Sequence, residues 1–128
     1  MKPPKKPGPG KIARMNMRQR KKLHVAEFTE IGLFVEVTFQ SPLDEDAWDS
    51  WILRWMDTAA EHGLEVGGFG GKLPIAKTDG WLFLHPHGSV TDAQAAVVKT
   101  ALEKDPAIAA LSKFVLADGW YENPAQPE

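Results

Sequence analysis

The sequence predicts one α+β domain in the order strand, helix, strand, strand, helix, strand, and three observations carry that prediction. The run Ile31 to Phe39 repeats apolar residues at period two, as a strand does. Two later stretches repeat them at the three-and-four spacing of a helix with one buried stripe. Glycine-rich and Asp-Gly or Asp-Pro turns cut the remaining apolar runs into three short strands. This order is the split βαβ (βαββαβ), or ferredoxin-like, arrangement: a four-stranded antiparallel sheet with two helices on one face. A basic N-terminal arm precedes it, and 128 residues suit a single domain of roughly 100–200 residues.

Taken in order, residues 1–13 hold four prolines and two glycines and almost nothing apolar. Such a segment cannot offset the entropy of ordering its backbone and is expected to be disordered when free. Residues 14–22 can extend as an arm or fold as a helical turn on a partner. Ala26, Glu27 and Phe28 predict a short helical turn, with Gly32 as its stop. In the first strand Leu33, Val35, Val37 and Phe39 share one face, and Phe34, Glu36 and Thr38 the other.

The first long helix is expected over residues 41–63, with Ser41 as cap, Pro42 at the first helical position, and Asp44 and Asp46 at the positive end. Ala47, Trp48, Trp51, Ile52, Trp55, Met56 and Ala59 form its apolar stripe, so the three tryptophans read as core. A short strand from Leu64 runs into a glycine turn, and the pair Asp79-Gly80 opens the third strand. The second helix spans residues 91–105, with Thr91 and Gln94 as a capping box and Ala93, Val97, Val98, Ala101 and Leu102 inward. One further turn is expected through Leu111, then a last strand over residues 113–121. The chain thus divides into an arm over 1–22, a domain over 23–122 and a frayed tail over 123–128.

Charge is distributed unevenly. Residues 1–22 carry nine of the fifteen cations and none of the seventeen acids, on a chain of net charge −2. A cationic arm on an acidic body points to nucleic acid or another anionic surface as partner. Cysteine is absent, which removes disulfides, thiolate metal sites and a cysteine nucleophile. No apolar run is long enough for a membrane span, and no apolar core follows the first lysines as in a secretory signal. A cytoplasmic location is expected.

Few residues suggest catalysis or a cofactor. Gly67, Gly68, Gly70 and Gly71 precede Lys72, but Val66 and Leu73 break the phosphate-loop spacing, and Pro74 excludes the helix that should follow. His85 and His87 are the one close histidine pair, with His24 and His62 far off in sequence, so a solvated turn explains them better than a metal site. Asp44, Glu45, Asp46 and Asp49 suit a helix start. No serine sits in a nucleophile-elbow pattern. The segment GWLFL faintly echoes the aromatic strand of an RNA recognition motif, though Asp79 stands where a basic residue would. No enzyme, catalytic residue, metal, cofactor or small-molecule substrate is expected.

One stretch is more specific. Arg18, Arg20, Lys21 and Lys22, then Leu23-His24-Val25, Phe28, Glu30-Ile31-Gly32 and a strand, resemble the YggL family of bacterial 50S ribosome-binding proteins. The resemblance continues through a helix with acids at its start, a glycine turn containing Phe69, and the aromatic pair Trp120-Tyr121. It implies a small cytoplasmic protein that associates with the large ribosomal subunit and has no cofactor.

Joined to the charge map, the resemblance makes Lys11, Arg14, Arg18, Arg20, Lys21, Lys22 and His24 the candidate contacts to 23S rRNA. Lysine and arginine neutralise phosphates and release counterions, and arginine also stacks on bases or grips phosphate through two N–H groups. The acidic body then faces solvent or basic ribosomal proteins. His24 has two readings, a contact to rRNA or a hinge packing the arm's root on the domain. A monomer is expected. Two rivals stand beside this reading: a small ligand-binding or enzymatic ferredoxin-like domain using the His85–His87 turn or the sheet face, and a general single-stranded RNA module using Trp81 and Phe83.

Overall fold

The computed structural model describes residues 5–122 and 124. Among these, the order is α1 (Pro9–Ala13), α2 (Met17–Leu23), a 3-10 turn (Ala26–Phe28), β1 (Ile31–Leu43), α3 (Glu45–Glu61), β2 (Leu64–Gly67), β3 (Ile75–Leu84), α4 (Asp92–Lys104) and β4 (Ile108–Asp118). The strands form one open sheet in the order β2-β3-β1-β4, each neighbouring pair antiparallel. The first four residues and the fraying expected over 123–128, apart from residue 124, lie outside the described residues.

The first strand is central because it is apolar on both faces. Leu33, Val35, Val37 and Phe39 enter the main core with Trp51, Trp55 and Ala59 of α3 and Ala95, Val98 and Leu102 of α4. On the opposite face Phe34, 2% exposed, lies in register with Trp81 on β3 and Val115 on β4. Glu36 on that face is held by Lys77 at 3.1 Å.

Several expected boundaries move. Ser41 and Pro42 belong to β1, which continues through an irregularity after Thr38 to pair Leu43 with Ile75. The cap of α3 is Asp44, whose carboxylate accepts from the Ala47 N–H at 2.8 Å. An ionised acceptor at the positive helix end is a stronger stop than the serine three residues earlier.

Asp79 and Gly80 lie inside β3, paired with Glu36 and Val35, rather than opening it. A Cβ at Gly80 would stand 2.6 Å from the Gly67 carbonyl oxygen and from the Phe69 ring. Glycine is needed there for that close approach, not for a turn. Gly32, expected to stop a helix, is likewise inside β1, beneath the Trp81 and Phe83 rings. The last strand starts at Ile108, so it absorbs the turn expected through Leu111.

The helix stripes are narrower than expected. In α3, Trp51, Trp55 and Ala59 are buried while Ala47 and Met56 are exposed. In α4 the seam is Ala95, Val98 and Leu102, and Ala93 and Val97 face solvent. Each helix lies on the sheet along a single line of contact, which one residue per turn fills. The capping box of Thr91 and Gln94 forms as expected.

Candidate nucleic-acid interface

The arm, expected to be disordered over 1–13 when free and extended or helical over 14–22, carries two short helices among its described residues. Pro9 occupies the start of α1, where its missing N–H costs nothing. Asn16 and Gln19 form a reciprocal cap on α2, at 2.9 and 3.0 Å. Neither helix buries a residue. Lys11 and Arg14 are exposed and three residues apart at α1, and Arg18, Lys21 and Lys22 are exposed at the three-and-four spacing of one face of α2. The lysines also sit in the last turn, where cations suit the carbonyl end of a helix.

Arg20 is placed differently. Its guanidinium donates to both carboxylate oxygens of Glu27, at 2.6 and 3.2 Å, and to the Met15 carbonyl at 2.5 Å. Three charge-assisted bonds tie α2 to the 3-10 turn and to the link between α1 and α2. The hydrogen bond to Glu27 raises the Arg20 pKa against a smaller lowering by burial, and the Arg20 hydrogen bond holds the Glu27 carboxyl below its usual range.

His24 ends α2 in a left-handed conformation, with φ 52°. Its ring stacks on Trp120 with centroids 3.7 Å apart and planes 5° from parallel. The Trp120 indole N–H donates to Glu30 at 3.1 Å, the Tyr121 hydroxyl donates to the Leu23 carbonyl, and the other Glu30 oxygen stands 4.0 Å from His24. Burial pushes the Tyr121 phenol up, and the Asp118 charge adds to it. Lys6 lies 3.8 Å from Asp118, a carboxylate 3% exposed whose Oδ2 has no hydrogen-bond partner. His24 thus packs the root of the arm onto the turn that follows β4.

Two clefts adjoin this hinge. One, of about 420 Å³, is lined by Lys21, His24, Glu27, Phe28, Glu30 and His87 among others. The second, of about 370 Å³, shares Glu30 and His87 and adds Glu65, Phe83 and Trp120. His85 bonds to Glu65 rather than facing His87 across a metal position, and no three histidine, aspartate or glutamate side chains converge as metal ligands among the described residues. Trp81 and Phe83 stack on each other at 5.6 Å on the sheet face opposite α3 and α4, both half-buried. Among the described residues no helix is long and apolar enough to cross a membrane.

Sequence reasoning reached the cations but missed their anchors. Glu27, Glu30 and Trp120 fix the arm's root, and the only signal was an aromatic pair, Trp120-Tyr121, standing next to a polar tail.

The chain is 30% identical over 114 residues to an uncharacterized protein of Haemophilus influenzae, an alignment covering 88% of this chain and 96% of that protein. No solved structure matches. The model of one protein family, the YggL 50S ribosome-binding proteins, matches residues 17–121. That span runs from the first residue of α2, through the hinge and the whole sheet, to Tyr121, and it makes this chain a member of the YggL 50S ribosome-binding protein family.

Proposed function

We propose that the protein binds the large ribosomal subunit and contacts 23S rRNA through the cationic face of α1 and α2. The observation that carries this reading is that Lys11, Arg14, Arg18, Lys21 and Lys22 are all exposed, with no acid before Glu27. Each such cation neutralises a phosphate and releases a counterion, so the contact is electrostatic and salt-sensitive. Arg20 and His24 serve first as tethers that orient these cations, through Glu27 and Trp120. The family name supports the 50S partner.

Away from the hinge the body, with six cations against seventeen acids beyond residue 22, is repelled by bare RNA and turns toward solvent or basic ribosomal proteins. The protein acts as a cytoplasmic, non-enzymatic monomer in subunit assembly or the tuning of translation. The strand order β2-β3-β1-β4 is read here as the split βαβ arrangement, a scaffold that hosts many unrelated activities and decides none.

Sedimentation of the full chain with purified 50S subunits tests the proposal. Five phosphate contacts predict a fall in affinity on the order of 10²–10³ between about 50 and 200 mM salt. Removal of residues 1–22, or reversal of Arg18, Lys21 and Lys22 to glutamate, is expected to abolish co-sedimentation while the domain's circular dichroism is retained. Unchanged association would refute the arm as the anchor. A general RNA module built on the sheet face is less supported, because Trp81 meets the buried Phe34 edge-on and stacks on Phe83, which leaves no row of open rings.

A further inference from the structure

The cleft of about 370 Å³ beside the hinge is lined by two aromatic rings, Phe83 and Trp120, and two carboxylates, Glu30 and Glu65, together with His87. Flat π surfaces and fixed acceptors are the groups that recognise a nucleobase: the rings stack on it, and a carboxylate accepts its N–H donors. Trp120 remains 44% exposed although His24 covers one of its faces. Glu30 uses one oxygen to accept from the Trp120 indole, which sets the carboxylate beside the ring, and its other oxygen is 4.0 Å from His24.

The surroundings favour a nucleotide over a basic peptide. Lys21 lines the adjoining cleft of about 420 Å³, which shares Glu30 and His87 with the aromatic one. Arg18 and Lys22 are exposed on the same short helix. Those cations attract phosphate and repel lysine or arginine side chains.

We infer that the cleft takes one unpaired RNA base against Phe83 and Trp120, with a flanking phosphate against Lys21 in the adjoining cleft, and that Glu30 and Glu65 select guanine. Guanine presents a ring N–H and an amino group side by side to a single carboxylate, whereas uracil offers one N–H flanked by carbonyl oxygens that a carboxylate repels. The inference deepens the proposed rRNA contact and rests on that reading.

Anisotropy of labelled oligouridine, with and without a central guanosine, measures it on the full chain at low salt. The guanosine strand is expected to bind roughly tenfold tighter, the order of a paired hydrogen bond to a base. Glu30→Gln, which keeps an acceptor for the Trp120 indole, should erase that preference, so that the two strands bind alike. Phe83→Leu should weaken both strands, as should Lys21→Ala. If Phe83→Leu fails to fold, the exposed Glu65→Gln replaces it, with loss of part of the preference expected.

Equal binding of the two strands by the unaltered protein, or a preference that survives Glu30→Gln, overturns the inference. If 50S association persists in that case, the proposed function stands without the base site. Loss of both 50S and oligonucleotide binding overturns the two together. Tighter binding of an arginine-rich peptide that disappears in Glu30→Gln overturns it in favour of a basic protein partner.

Discussion

Leu33, Val35 and Val37 of β1 are wholly buried in a core that two helices complete, whereas α1 and α2 bury no residue at all. The body is held by apolar area removed from water, a large and non-directional effect. The N-terminal helices are held by individual polar and stacking contacts: Arg20 on Glu27 and Met15, His24 on Trp120, Tyr121 on Leu23, Lys6 near Asp118. Helices of five and seven residues are too short to stand alone in water. Each tether therefore decides whether the cationic face is presented in one place, and the two regions should respond to different substitutions.

The largest effect is expected in the body. Trp51 is 2% exposed, stands edge-on to Phe39 at 5.0 Å, and lies 5.9 Å from Trp55. Its indole N–H donates to Asp105 at 2.9 Å, which joins α3 to the turn before β4. Trp51→Ala should destabilise the protein by about 3–5 kcal/mol, the usual cost of removing a large core aromatic. Urea denaturation checks it, and a loss below about 1 kcal/mol would show that the helix layer collapses to fill the space. Nucleic-acid binding by the fraction that remains folded should be unaffected, because the arm makes none of these contacts.

A smaller effect, of the opposite distribution, is expected at the hinge. Tyr121→Phe keeps the ring and removes only the hydroxyl that donates to the Leu23 carbonyl. A neutral hydrogen bond of this kind contributes about 1 kcal/mol. The loss should appear as faster amide exchange in α2, with the urea midpoint of the sheet nearly unchanged. A shift of the global midpoint with no change in α2 would mean that the hinge is part of the cooperative core.

The same division explains what could be read from the sequence. The odd-numbered side chains of β1 and the seam of α3 through Trp51 and Trp55 were legible because burial imposes a period on neighbouring residues. Asp79-Gly80 misled because a glycine that admits Phe69 and one that makes a turn look alike until the chain is folded. The five exposed cations were legible from composition. His24 was legible as one possible hinge, but the partners were not: Trp120 stacks on it across 96 positions of sequence, and Arg20 reaches Glu27 past the end of a helix, where no helical spacing applies. Long-range polar pairing leaves no periodic trace.

The smallest effect separates the tether from the contact it orients. The Glu27 carboxyl lies below its usual range, chiefly through the Arg20 hydrogen bond, so its contribution is complete above the ordinary glutamate pKa and fades as pH falls through the lowered folded value. Arg20, raised further, stays charged throughout. The Glu27 carboxylate is solvent-exposed and Arg20 only half-buried, so screening keeps the stabilisation small and salt lowers it again. Amide exchange in α2, followed from neutral pH down to about 3 and corrected for intrinsic rates, should therefore rise only in the acid limb. Glu27→Gln should give a profile flat near that acid level, and a wild-type profile with no acid limb would refute the tether. Because protonation frees the Arg20 guanidinium without removing it, RNA affinity should fall less than the order of α2 does, which distinguishes a residue that positions the cationic face from one that binds through it.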